Sequence, residues 1–117
     1  MKKDTEDLGR ELVEYENMEK QLEVLLIQKH QLQIQTNEIT HALDELKKSK
    51  SDVFRSIGSI LMHITREEAE KDLKDRAELV GVKLNAITKQ EEKLRTAVGD
   101  TQKKLQEKMK GYGKQEA

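Results

Sequence analysis

Apolar residues recur in alternating steps of three and four along the first part of the chain. This spacing places twelve residues between Leu8 and Leu46 on one helical stripe, and nine of the twelve are apolar. The stripe predicts a helix over about residues 5–48, about 65 Å long. Lys29 and Thr36 interrupt it, and polar residues at such positions often fix the register or the number of partners. The stripe comprises Leu8, Glu11, Tyr15, Met18, Leu22, Leu25, Lys29, Leu32, Thr36, Ile39, Leu43 and Leu46.

A second stripe with the same spacing begins at Leu73, and eight of its ten members are apolar. Upstream, residues 65–68 read Thr-Arg-Glu-Glu, which matches a capping box that begins a helix at residue 66. We expect that helix to pass through Gly81 and Gly99 and to end near residue 110. The second stripe comprises Leu73, Ala77, Val80, Leu84, Ile87, Glu91, Leu94, Val98, Thr101 and Leu105.

Between the two helices, residues 53–65 read as two β-strands joined at Gly58-Ser59. Glycine takes a positive φ at the first central position without a Cβ clash, so a type II′ turn is predicted there. The residues that face each other then have numbers that sum to 117. A single two-stranded hairpin is marginal in water and leaves two edges of unpaired backbone groups. We therefore expect it to pair with hairpins of other chains.

Two striped helices joined by a hairpin that reverses the chain predict an antiparallel coiled coil. Charge agrees, because residues 1–20 carry a net charge of −3 and residues 103–114 carry +4. The same pairing sets Lys47, Lys48 and Lys50 near Glu67, Glu68 and Glu70. The predicted fold is mainly α, with residues 1–117 as one domain: an antiparallel two-helix coiled-coil hairpin with a single central β-hairpin.

Composition limits the classes of protein that remain. Hydrophobic residues are 34% of the chain and charged residues 38%, which suits long helices better than a thick globular core. There is no proline to break a helix and no cysteine for a disulfide or a thiolate metal site. A net charge of −1 gives no general attraction to nucleic acid or to a membrane. Without an apolar span or leader, we expect a cytoplasmic protein.

The order of these motifs resembles the β subunit of archaeal prefoldin. The resemblance is strongest from Val53 to Leu73, where the hairpin reads Val-Phe-Arg-Ser-Ile-Gly-Ser-Ile-Leu and the second helix opens with Thr-Arg-Glu-Glu-Ala. The segment Lys-Gln-Glu-Glu-Lys-Leu at residues 89–94 is also similar to that family. The chain differs in its acidic N-terminal segment, in Phe54 where tyrosine is usual, and in the Gly81 and Gly99 pair.

The resemblance implies a hetero-hexameric chaperone. In that family two α-type and four β-type subunits join their hairpins into an inter-subunit β-barrel, from which the coiled coils project. The coiled-coil tips hold unfolded client proteins without ATP and deliver them to a group II chaperonin. The chain would then be an ATP-independent holdase subunit whose partners are prefoldin α-type subunits, further copies of itself, clients and the chaperonin.

Two sets of site residues follow. Strand residues are expected to be buried between subunits, because a lone hairpin has little to bury them against. These are Val53, Ile57, Ile60, Leu61, Met62 and Ile64. Apolar residues at the free ends of the coiled coil are expected to contact clients, with closure of the last stripe layers as the alternative for Leu8 and Leu105. This set is Leu8, Leu12, Val13, Leu105, Met109 and Tyr112.

No motif points to catalysis or to a cofactor. His30, His41 and His63 lack the spacing of a metal site, and the glutamates at residues 67–70 are explained by a helix start. No nucleophile motif or phosphate-binding loop occurs, so we expect neither an enzyme nor a bound cofactor. The lysine-rich segment from Lys103 to Lys114 lacks the interleaved aromatic residues with which single-strand binders stack on bases. The competing interpretation is a structural coiled-coil scaffold oligomerised through its hairpin.

Overall fold

Two long helices flank a two-stranded sheet in the computed structural model, which describes residues 2–116 and the side chains of residues 5–111. The elements are α1 (Lys2–Lys48), β1 (Val53–Ile57), β2 (Ile60–Ile64) and α2 (Arg66–Glu116). The mainly helical fold with one antiparallel hairpin is therefore confirmed. Helix α2 extends six residues beyond the predicted end near residue 110, because a glycine costs only about 1 kcal/mol in a helix and does not by itself end one.

Contacts divide the chain into two compact units. Unit 1 consists of Met1–Gln28 and Ile87–Ala117, and unit 2 is Lys29–Ala86. Each unit holds a segment of α1 and a segment of α2, and unit 2 also holds the hairpin.

In unit 1 the predicted stripe is the packed face of α1. Among the described side chains from 5 to 28, only six are shielded from solvent, and all six are members of the stripe. The Thr101 hydroxyl lies 3.9 Å from the Met18 sulfur, and Lys108 forms an ion pair with Glu11. From Glu11 to Met18 the residue number on α1 rises by seven, and from Lys108 to Thr101 the residue number of the contact on α2 falls by seven. The two segments therefore run antiparallel, as predicted, with opposite charges paired.

In unit 2 the packed residues are Leu32 on α1 and Ala69 and Val80 on α2, each less than a tenth exposed. Two members of the predicted stripes, Thr36 and Ala77, are exposed. The Thr36 hydroxyl donates a hydrogen bond of 2.9 Å to the carbonyl of Leu32 on its own helix. That bond satisfies the hydroxyl within its own helix, and a role of Thr36 in fixing the register or the number of partners stays a prediction.

The first turn of α2 is capped as predicted. The backbone N–H of Glu68 donates to the Thr65 hydroxyl at 3.1 Å, which satisfies one of the free donors at the helix start. Only some of the expected contacts between the lysines at the end of α1 and the glutamates that begin α2 occur. The charge of Lys47 helps to lower the pKa of the Glu70 carboxyl, whereas Lys48 forms an ion pair of 3.0 Å with Asp44 one turn back on α1.

The hairpin register agrees with the prediction at every pair. Val53 faces Ile64, and Ile57 faces Ile60 next to the turn. Gly58 has φ of 59°, and no non-glycine described residue has a positive φ. A type I′ turn would require a positive φ at Ser59 as well, so the turn is type II′.

Candidate functional site

Beyond its base pair, the hairpin carries exposed apolar side chains on both faces. Five large apolar side chains are exposed by half or more in the isolated chain, with Ile60 at 63% and Leu61 at 69%. Ile57, Ile60 and Met62 lie on one face of the ladder, and Leu61 lies on the other. The five are Phe54, Ile57, Ile60, Leu61 and Met62. Within residues 2–116 the sheet has only these two strands, so both outer strand edges are unpaired.

The inner half of the hairpin packs within unit 2. Val53 and Ile64 face each other at the base and are half-buried, and they line a groove with Leu46, Ala69 and Leu73. These two predicted interface residues therefore contribute part of their apolar surface to packing inside the chain, whereas the other four are exposed by half or more. Subunit contact by any of the six stays a prediction.

Two arginines anchor the hairpin to the helices. Arg55, on the face that the base residues share, forms an ion pair with Asp72 on α2. Arg66 donates to the carbonyl of Leu46 near the end of α1 and, at 3.0 Å, to the carbonyl of Ser51 in the connection. A guanidinium presents several donors in a fixed plane, so Arg66 ties the end of α1 to the start of the hairpin. No sequence motif indicates this contact, because both acceptors are backbone carbonyls.

Phe54 is a hairpin residue that the predicted interface omitted. Its ring is 54% exposed and meets the His63 ring edge to face at a centroid distance of 5.4 Å. His63 also lies 3.7 Å from an oxygen of Asp52. The alternation of side chains already put Phe54 on the same face as Leu61, and that signal could have placed it in the set.

The predicted client residues fall into two groups. Leu12, Val13 and Met109 are exposed, at 38%, 56% and 57%. Leu8 is half-buried and Leu105 is only 5% exposed in the isolated chain, as members of the packed stripe. Client contact by any of the six stays a prediction. The side chain of Tyr112 lies outside the described residues.

Exposed apolar residues also occur where neither stripe predicted them. In unit 1, Val24 and Ile27 on α1 are 53% and 54% exposed. In unit 2, Leu79 and Val82 on α2 are 56% and 63% exposed. The two stripes follow only the face on which the helices pair, so these four positions fall outside them.

Two described residues have displaced pKa values. A hydrogen bond from Lys74, reinforced by its charge and by that of Lys47, lowers the pKa of the Glu70 carboxyl. The Lys74–Glu70 pair is 2.8 Å long and spans one helical turn. A hydrogen bond to Glu19, with a contribution from burial, raises the pKa of Tyr15. Both shifts come from ordinary pairs along one helix and indicate no acid–base site.

Among the described residues, no group of three or more metal-binding side chains comes together. No described helix is long and apolar enough to cross a bilayer. The geometry therefore defines a class of protein: a helical subunit with an unfinished sheet that displays apolar surface at its hairpin and along its helices. Such surface serves contact with other chains.

Known proteins of this class share both the sequence pattern and the fold. The prefoldin subunit family matches residues 10–112. Prefoldin subunit beta of Pyrococcus furiosus is 31% identical over 81% of this chain and 83% of its own length. The same subunit of Sulfolobus acidocaldarius is 30% identical over 91% of this chain and 86% of its own. The crystal structure of the prefoldin beta subunit from Thermococcus strain KS-1 matches with a TM-score of 0.80 and 27% identity, covering 86% of this chain and 90% of that one.

The chain belongs to the prefoldin subunit family, a family of chaperone subunits, and its similarity to beta subunits confirms the resemblance drawn from the hairpin and cap motifs.

Proposed function

We propose that this chain is a β-type subunit of an ATP-independent holdase, in which it binds unfolded polypeptide through apolar residues near the ends of its helices. The complex would act in the cytoplasm, catalyse no reaction and deliver its clients to a group II chaperonin. The observation that carries the proposal is the hairpin: five large apolar side chains exposed by half or more on a sheet of two strands. A two-stranded hairpin is marginal by itself, and the exposed part of this one would gain stability by joining strands of other chains.

Assembly is the first part of the proposal. The free edges of β1 and β2 would pair with strands of α-type subunits and of further copies, closing an inter-subunit β-barrel of two α-type and four β-type chains. This closure would remove the five exposed apolar side chains of the hairpin from water: Phe54, Ile57, Ile60, Leu61 and Met62. Val53 and Ile64 are already partly covered by the chain itself, and assembly would bury the rest of their surface.

Client binding is the second part. Leu12, Val13 and Met109 are exposed apolar residues in unit 1, and methionine adapts to many apolar shapes because its side chain is unbranched. Leu8 and Leu105 would hold the two helices together beneath them. Weak, adaptable contacts of this kind suit a protein that holds many clients and releases them without nucleotide.

The decisive experiment is suppression of aggregation by the assembled complex without nucleotide. Light scattering of a refolding, chemically denatured protein should be delayed by the wild-type complex. A variant that combines Leu12→Gln, Val13→Gln and Met109→Gln should assemble normally and lose most of the delay. Glutamine is a good helix former, so these exposed changes leave α1 and α2 intact. The matched control is Leu79→Gln with Val82→Gln, an equally exposed apolar pair outside the proposed contact.

A structural scaffold would behave differently. It would form the same oligomer, but the wild-type complex would not delay aggregation and the triple variant would match it. Native mass measurement of the chain with and without a co-expressed α-type subunit tests the assembly part on its own.

A further inference from the structure

The face of α1 that points away from α2 in unit 1 carries an apolar stripe of its own. Val13, Val24 and Ile27 are each more than half exposed. An α-helix turns by about 100° per residue, so residues eleven apart differ by only about 20°. Val13 and Val24 therefore lie on nearly the same line, and Ile27 is the next-turn neighbour of Val24. We call these three residues the outer stripe of α1.

The outer stripe lies apart from the face of α1 that packs against α2 in unit 1. A helix in a two-helix coiled coil needs one apolar face, the one that meets its partner. In unit 1 that face is already used by the stripe that includes Met18 and Leu22. The outer stripe is therefore apolar surface beyond what the coiled coil needs.

The stripe is poorly suited to another helix. Between Val13 and Val24 the same face is occupied by Asn17 and Lys20, so the regular repeat that a helical partner would require is interrupted. An extended chain makes fewer demands on spacing. From Val13 to Ile27 the stripe measures about 21 Å along the helix. An extended peptide rises about 3.3 Å per residue, so a segment of about six residues spans it.

Charge indicates which segments fit. Residues 5–28 contain seven acidic and two basic residues, a net charge of −5. Residues 87–111, the α2 part of unit 1, contain seven basic and four acidic residues, a net charge of +3. Glu16 and Glu23 lie one helical turn from Val13 and Ile27, directly beside the outer stripe. Lys20 and Arg10 also lie within one helical turn of the outer stripe, and the methylene stem of Lys20 adds apolar surface there.

We propose that the outer stripe of α1 binds extended apolar segments of unfolded polypeptide that are flanked by lysine or arginine. This inference rests on the proposed holdase function and names the class of client segment that one surface prefers. Valine and isoleucine contact the apolar core of the segment, and the acidic residues around them attract its basic flanks. The surface adds to the proposed contact at Leu12, Val13 and Met109 by continuing along α1 from Val13.

Labelled peptides binding to the assembled complex test the proposal by fluorescence anisotropy. Three peptides share an apolar core of six residues and carry two lysines, two serines or two glutamates on each side. The lysine-flanked peptide should bind about five- to ten-fold more tightly than the glutamate-flanked one at low salt, as expected for a few exposed charge pairs. At 0.5 M salt the preference should fall to about two-fold or less, since screening removes attraction between exposed charges.

Two variants separate the apolar and the electrostatic parts. Val24→Gln with Ile27→Gln should weaken binding of the lysine-flanked peptide about ten-fold, because two half-exposed apolar side chains are lost from the contact. Glu16→Gln with Glu23→Gln should reduce the preference for lysine over glutamate and leave the serine-flanked peptide unaffected. Leu79→Gln with Val82→Gln is the matched control and should bind all three peptides like the wild type.

Three results would overturn the proposal. The first is equal affinity for the lysine-flanked and glutamate-flanked peptides at low salt. The second is a Val24 and Ile27 variant that binds within two-fold of the wild type. The third is a change in the mass of the complex in that variant, which would make the outer stripe a contact between subunits. In each case, delay of aggregation by the wild-type complex and its loss in the Leu12, Val13 and Met109 variant would leave the holdase function standing. A wild-type complex that delays no aggregation would instead remove the function itself.

Discussion

Replacing Leu61 by glutamine is the sharpest test of the role given to the hairpin. Leu61 is the most exposed large apolar residue of the described chain, at 69%. Full burial of a leucine side chain stabilises by about 1.5–3 kcal/mol relative to leaving it exposed. About two-thirds of that burial is still available in the isolated chain, so assembly should gain about 1–2 kcal/mol from Leu61 at each hairpin.

A loss of about 1–2 kcal/mol lowers an association constant about five- to thirty-fold. Sedimentation equilibrium of the chain with its α-type partner, over a dilution series, measures this change. The thermal midpoint of the isolated chain should stay the same, since Leu61 packs against little within it. Leu79→Gln is the control, because Leu79 is 56% exposed on α2 and lies away from the hairpin.

An association constant of Leu61→Gln within two-fold of the wild type would show that Leu61 does not help to join the hairpins. The same role is excluded if the variant lowers the free energy of unfolding of the isolated chain by as much as it lowers the free energy of association. In that second case Leu61 would serve packing inside one chain.

Three further predictions concern the fold itself. Arg66→Ala removes donors to two backbone carbonyls and should lower the free energy of unfolding by about 1–3 kcal/mol in urea titrations, whereas no change would show that the guanidinium contact is dispensable. Gly81→Ala should raise that free energy by about 1 kcal/mol, because nothing beyond the adjacent backbone of its own helix lies within 4 Å of the added Cβ and alanine favours the helix; a decrease would contradict the open surroundings of Gly81. Glu70→Gln should lower the thermal midpoint slightly at pH 7, where the carboxylate is charged and paired with Lys74. The pKa of Glu70 is lowered in the folded chain, so its contribution is lost as pH falls below the ordinary value of 4.5, and wild type and variant should then melt alike; a gap that persists in acid would exclude the charge as its cause.

The sequence determined the local structure almost completely. Stripe spacing identified both helices because an apolar face at a period of about 3.6 residues can be buried only if the segment is helical. Gly58 and the flanking apolar runs identified the hairpin and its turn type. They also identified the register, since a two-residue turn at a known position allows only one pairing of the strands. Thr65 identified the start of α2 because its hydroxyl bonds within three residues. These interactions are short in sequence, and the residue types that make them are visible in it.

The tertiary structure decided what each side chain does within those elements. Leu105 and Leu12 are both leucines near the helix ends, yet one is 5% exposed and the other 38%, because only Leu105 points at the opposing helix segment. Arg66 binds carbonyls of residues 15 and 20 positions away, which no local pattern encodes. The outer stripe of α1 became visible only when the packed face was known. Burial and long-range contact depend on which faces meet, and the period of a helix predicts that one face packs without stating what the other faces are left to bind.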